Sequence, residues 1–267
     1  MKRVFREAKR WNSITQIRGY VEQHNEVPDK ELLQKATIQP SLLKPYLSKI
    51  LQQPDPFNLA HLVTIEDLYR ARVHYGHKIG TLNDRMKWAL FGERLGVCIF
   101  DLSITKKYLL RALNFLAHVA YQGGIILFVT SDRDNMFQIE KMAESVGEYA
   151  HVRKWIDGTL TNMKYYVKYP VRMPDTVVML STLTSVLETH PAVVEAAQMA
   201  IPTIGVVDSN SDPSYVTYVV PGNDDSTSSV LYFMNLFVKA IKCGKEAREN
   251  TLKKAGSLKN PATATHK

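Results

Sequence analysis

The run from Ile201 to Ser226, IPTIGVVDSNSDPSYVTYVVPGNDDS, restricts the fold more than any other stretch of this chain. Thr203 to Val207 is short, apolar and rich in β-branched residues, the pattern of a strand buried on both faces, and it stops at Asp208 in a cluster of turn formers. A second apolar run, Thr217 to Val220, ends at Pro221 and Gly222. Beyond it Asp224 and Asp225 stand where a helix start needs acceptors for its first amides. Strands buried on both faces belong to parallel sheets, and in such sheets function collects at the carboxyl edge.

The same alternation extends upstream. Val97 to Asp101 reads as a first core strand, and Thr105 to Tyr121 as a helix with Leu109, Leu113, Leu116 and Ala120 on its apolar face, ended by Gly123 and Gly124. Ile125 to Thr130 reads as a strand, Asn135 to Val146 as a helix stopped by Gly147, Thr176 to Ser181 as a strand, and His190 to Ala200 as a helix with Pro191 in its first turn. A last helix buries Val230, Phe233, Phe237 and Ile241. Strands alternating with helices predict an α/β fold: a mostly parallel sheet with helices on both faces, Rossmann- or flavodoxin-like. Residues 1–60 lack a strand pattern and carry Pro28, Pro40, Pro45, Pro54 and Pro56, so they read as an extension outside the core. Thr64-x-x-Asp67 is a capping-box variant that opens a short helix to about Val73. The globular domain therefore spans 61–244, and the basic, Gly/Ser/Pro/Thr-containing stretch 245–267 reads as a flexible tail.

An α/β sheet invites a nucleotide or sugar-phosphate enzyme, but the phosphate cradle is missing: neither G-x-G-x-x-G nor a Walker sequence occurs. Gly123-Gly124 precedes a strand, whereas a phosphate loop follows one. Asp208, Asp212, Asp224 and Asp225 are acids that general-base or metal chemistry can use, yet no Ser, Cys or Lys nucleophile has an identifiable partner. Asp208, Asn210, Asp224 and Asp225 are accordingly expected to lock turns and cap a helix. His74 and His77 lack two further ligands at recognisable spacing, so no metal is expected. No apolar run is long enough to span a bilayer, and Cys98 and Cys243 form no disulfide framework or zinc motif.

Charge points elsewhere. The 267 residues carry a formal net charge of +8, which favours a polyanionic partner. The first twenty residues hold Lys2, Arg3, Arg6, Lys9, Arg10 and Arg18 among apolar residues, a composition that suits an organelle-targeting presequence or, equally, a basic arm retained on the protein to grip RNA. One irregular basic cluster contains Arg72, His74, His77, Lys78, Arg85, Lys87, Trp88 and Arg94. A second runs from His151 to Tyr169 with Arg153, Lys154, Asn162, Lys164 and Lys168 beside Trp155 and three tyrosines. Cations would neutralise phosphates there, Asn162 would hydrogen-bond to sugars or bases, and Trp155 is expected mainly to pack.

At these residues the chain resembles the bacterial-type small-subunit ribosomal protein two family, and its mitochondrial branch in particular, over residues 64 to about 243. The motifs are His74-Tyr75-Gly76-His77, then Asn83, Met86 and Lys87, Phe91 to Arg94, Val97 to Thr105, Gly123 to Val129, Leu160 to Asn162, Pro174-Asp175, and the Ile-Pro, Val-Asp-x-Asn and Pro-Gly-Asn-Asp-Asp elements at 201–225. Two departures stand out: Arg72 occupies a position where the bacterial pattern has a glycine two residues before the first histidine, and only Met163 to Met173 stands where the bacterial family inserts a long helical hairpin. The resemblance implies a non-catalytic component of the mitochondrial small ribosomal subunit in the matrix, at the head-body junction near the messenger exit. It would bind small-subunit ribosomal RNA and neighbouring ribosomal proteins, with no cofactor, membrane or small-molecule substrate. The competing expectation is a sugar-phosphate or nucleotide enzyme that uses Asp208 and the Asp224-Asp225 loop.

Overall fold

The computed structural model describes residues 53, 55–163, 165 and 171–258, so the basic N-terminal arm, Lys164, Lys168 and residues 259–267 lie outside the described residues. Thr64 opens α1 (Ile65–Arg70) by accepting the Asp67 amide. Then come β1 (Tyr75–Lys78), a 3-10 helix at Asp84–Ala89, β2 (Leu90–Arg94) and β3 (Val97–Phe100). The remaining order is α2 (Leu102–Gln122), β4 (Ile126–Val129), α3 (Met136–Glu144), β5 (Tyr149–His151), β6 (Thr176–Met179), α4 (Pro191–Gln198), β7 (Thr203–Val207), β8 (Tyr218–Pro221) and α5 (Thr227–Leu258).

The parallel sheet has the order β5-β4-β6-β7-β8. Its strands carry apolar side chains on both sides because helices cover both. Ile126, Phe128, Val178, Ile204, Val206 and Val220 point into a core shared with α2, α3 and α5. Their neighbours Val129, Val177, Met179 and Val207 point into a second core with α4, Trp155 and Met86. The period-two alternation of each short strand thus divides one apolar run between two cores.

Two expectations fail, each for a physical reason. Val97 to Asp101 does not join the parallel sheet; β3 pairs antiparallel with β1 and β2 in a separate small sheet. Its hairpin turns at Leu95 and Gly96, with φ values of +52° and +75°, as two-residue hairpin turns require. The basic cluster at 72–94 is therefore carried partly on β1 and β2 and partly on the 3-10 helix at Asp84–Ala89, with Arg72 and His74 in the turn before β1. Nor does the last helix stop at Gly244, the boundary expected for the domain. A Cβ at Gly244 would sit 2.4 Å from the Ala117 carbonyl oxygen, so this glycine permits close approach of α5 to α2 and the helix runs on to Leu258. By contrast Gly123, at φ +76°, does end α2, as a left-handed C-cap.

Candidate functional site

The parallel sheet reverses its strand order between β4 and β6, which opens a crevice at the carboxyl edge. A cleft of about 280 Å³ lies there, lined by His77, Ser131, Asp132, Ser181, Asn210 and Asp224 among others. β1 lies across it as a strap. The His77 amide donates to Ser209 Oγ at 2.8 Å, and the Asn83 amide donates to the Ser209 carbonyl at 2.8 Å. Gly76 is required for that approach, since a Cβ there would meet Ser209 Oγ at 2.9 Å.

The strap delivers His77 into a ring of acids. Its Nδ1 lies 3.0 Å from Asp208 Oδ2 and its Nε2 lies 3.1 Å from Asp225 Oδ2. Buried Asp224 accepts from Ser181 Oγ at 2.9 Å. The hydrogen bond to Asp208 raises the His77 pKa to about 9, with help from the Asp208, Asp225 and Asp224 charges against the opposing cost of burial. Burial first, then the Asp208 charge, holds the Asp224 carboxyl well above its ordinary value. One ligand atom each from His77, Asp208 and Asp224 falls within a 4.8 Å span. With both nitrogens against carboxylates, the His77 imidazolium is itself the cation among these acids, and a divalent ion would bind there only by displacing a proton from His77.

This geometry changes several expectations. Asp208 does lock its turn, its carboxylate accepting the Ser209 amide and its carbonyl accepting the Ser211 amide, and Asn210 Nδ2 ties the loop to the Val186 carbonyl at 2.9 Å. The acceptor before α5 is Asn223, whose Oδ1 receives the Asp225 and Ser226 amides; Asp224 and Asp225 face the crevice. His77 belongs to the acids instead of a basic surface. His74 is buried, its ring 4.5 Å from that of Tyr69 and 4.1 Å from that of Tyr75, and burial lowers its pKa. A neutral, covered imidazole is no phosphate donor.

The basic side chains divide into paired and open ones. Arg85 contacts half-buried Asp212 at 2.8 Å and also donates to Ser214 Oγ, whereas Lys87 contacts exposed Asp84 at 2.7 Å; the exposed Lys87 pair is weak enough for phosphate to compete. Arg72, Lys78, Arg94, Arg153 and Lys154 are exposed and show no carboxylate partner among the described residues. Arg72 sits at φ +61°, which explains the glycine of the bacterial pattern, because left-handed backbone favours a residue without Cβ. Asn162 is exposed and closes a turn, its amide donating to the Gly158 carbonyl at 2.7 Å.

Comparison with known proteins decides the family. A family model described as "Ribosomal protein S2" matches residues 68–172 and 166–244. The chain belongs to the ribosomal protein S2 family. Small ribosomal subunit protein uS2m of Bos taurus is 48% identical over 202 residues, covering 76% of this chain and 69% of the bovine one. Small ribosomal subunit protein uS2 of Corynebacterium efficiens is 30% identical over 228 residues (70% of this chain, 83% of that one), and that of Koribacter versatilis 28% over 243 residues (75% and 79%).

In this ribosomal protein S2 chain one supporting residue escapes a motif search. Glu195, buried on α4, accepts Trp155 Nε1 at 3.0 Å, the Gly158 amide at 2.7 Å and the Leu160 amide at 2.8 Å. Burial pushes its carboxyl up, but these bonds and one from Thr161 outweigh burial and keep it below the usual range. Arg153 and Lys154 thus project from a loop pinned beneath by a single carboxylate. The signal was a lone acid in the otherwise apolar stretch PAVVEAA. Trp155 packs in the second core, as expected.

Proposed function

We propose that this protein is a structural, non-catalytic constituent of the mitochondrial small ribosomal subunit in the matrix, where it supports translation. The observation that carries this is the 48% identity to bovine uS2m across most of both chains. Small-subunit ribosomal RNA is bound through the exposed cations Arg72, Lys78, Arg85, Lys87, Arg94, Arg153 and Lys154, with Asn162, Lys164 and Lys168 extending the second cluster. Neighbouring ribosomal proteins complete the seat at the head-body junction. Loops on a rigid sheet suit recognition of RNA by shape, and phosphate neutralisation makes the binding steeply salt-dependent.

Sedimentation of tagged protein with RNA crosslinking tests this directly: the protein should travel with small subunits, and the combined R85E, K87E, R153E and K154E variant should fail to incorporate. Normal incorporation of that variant would remove the basic loops from the interface. The enzyme alternative draws on the acids in the crevice. It requires ribosome-free protein to bind a phosphorylated metabolite and to lose activity on Asp208→Ala.

A further inference from the structure

Helix α2 is a surface helix without a single carboxylate: LSITKKYLLRALNFLAHVAYQ carries Lys106, Lys107 and Arg111 and no Asp or Glu. Surface helices ordinarily mix signs, since opposite charges three or four residues apart support the helix. Here Ser103, Lys107 and Arg111 fall at four-residue intervals along the exposed side. Beside them, on the 3-10 helix at Asp84–Ala89, stands Trp88, 41% exposed although a tryptophan carries a large apolar surface. Its ring lies 4.8 Å from the ring of Tyr108 at an interplanar angle of 50°, and the Arg111 guanidinium carbon lies 5.3 Å from the centre of the Tyr108 ring.

We propose that Trp88, Tyr108 and Arg111 form a stacking ladder for unpaired RNA nucleotides, with Lys107 and Lys87 neutralising the adjoining phosphates. The inference rests on the RNA-binding function above and adds a distinct surface and a distinct mode. The basic loops contact phosphate, which a duplex offers as well as a single strand. An aromatic ladder takes a base face, which only an unpaired nucleotide exposes. Every base has such a face, so the ladder tolerates sequence and selects unstacked RNA. The guanidinium over Tyr108 polarises the pair and supplies a planar cation on which a base can also stack. Core packing does not account for the arrangement, because the exposed faces of Trp88 and Arg111 touch solvent while the buried side of α2 is already filled by Leu109, Leu113 and Leu116.

The test uses full-length protein with Trp11→Phe, so that the emission arises from buried Trp155 and exposed Trp88. Oligoadenylate should quench the exposed emission, and an RNA duplex of equal length should not. Trp88→Phe should abolish the quenching, while Tyr108→Ala and Arg111→Ala should each weaken oligoadenylate binding roughly tenfold in protein whose circular dichroism shows the parent fold. Equal quenching by duplex, or unaltered oligoadenylate affinity in Tyr108→Ala and Arg111→Ala, overturns the ladder. Loss of a neighbouring protein from Trp88→Phe particles with RNA binding intact also overturns it, assigning the patch to protein contact. Failure of the parent protein to bind any ribosomal RNA overturns the RNA function itself; retained binding to ribosomal RNA with no effect of the three substitutions overturns only the ladder.

Discussion

The carboxyl-edge crevice and the Arg153-Lys154 loop lie on the same sheet yet are built by opposite means. In the crevice, charge is turned inward: His77 touches two carboxylates, Asp208 is buried, and β1, β7 and the turn before α5 interlock through Ser209 and Asn223. In the loop, charge is turned outward, and order comes from beneath through Glu195. A polar cluster whose members satisfy each other holds elements together, while cations with no internal partner stay available to a polyanion.

The sharpest way to break this contrast is to remove the carboxylate that supports the loop. Glu195→Ala leaves an indole N–H and backbone amides without acceptors in a buried setting, at roughly 1–3 kcal/mol for each such group. Chemical denaturation should show a loss of several kcal/mol, and amide exchange at 155–161 should accelerate. A second probe opens the crevice: His77→Ala removes the cation held between Asp208 and Asp225 and leaves buried Asp208 without its partner, so chemical denaturation should show a loss of roughly 3 kcal/mol; a loss under about 1 kcal/mol would show that the pair does not brace the crevice.

Acid should separate the two regions further. His190, beside Trp155, has its pKa lowered to about 4 by burial first and then by the His151 charge, with Glu195 opposing. The folded state therefore holds fewer protons than the unfolded state between pH 6.5 and about 4. Stability contributed by neutral His190 is complete above that window and declines as pH falls through it, by up to about 1.4 kcal/mol per pH unit. Thermal melts of His190→Asn across this range should show a shallower acid slope than the parent. A smaller effect is expected at Arg72, in the turn before β1. Arg72→Gly relieves a left-handed arginine that costs about 1 kcal/mol, so the melting temperature should rise slightly even as one cation is lost from the RNA surface. The smallest is R153E with K154E, which should leave stability within about 0.5 kcal/mol while weakening RNA binding at low salt.

Most of the parallel sheet was legible because Ile125–Thr130, Thr176–Ser181 and Thr203–Val207 are concentrated apolar runs separated by strong helix signals. The antiparallel sheet was not. Leu90–Arg94 reads LFGER, with no clear alternation, and its turn uses Leu95-Gly96 in place of an Asn-Gly pair. The acid crevice was illegible for a different reason: His77 and Asp208 meet only through tertiary structure, more than a hundred residues apart. Spacing rules cannot find such a set, although each of its residues stands out singly in the sequence. The open cations at 153 and 154 were legible, because they needed only to be charged and exposed.

Gly244 has a consequence beyond packing. Because α5 passes through it without a break, the angular position of the helical residues that follow is geared to the contact with Ala117. Lys245 is thereby aimed at Glu148 and the Val146 carbonyl, and Arg248 and Lys253 inherit fixed bearings around the helix axis. One residue inserted after Gly244 would turn all of them by about 100° without changing the tail's charge or length appreciably. Lys245, Arg248 and Lys253 are thus directional, and their heading is set by the absence of one methyl group.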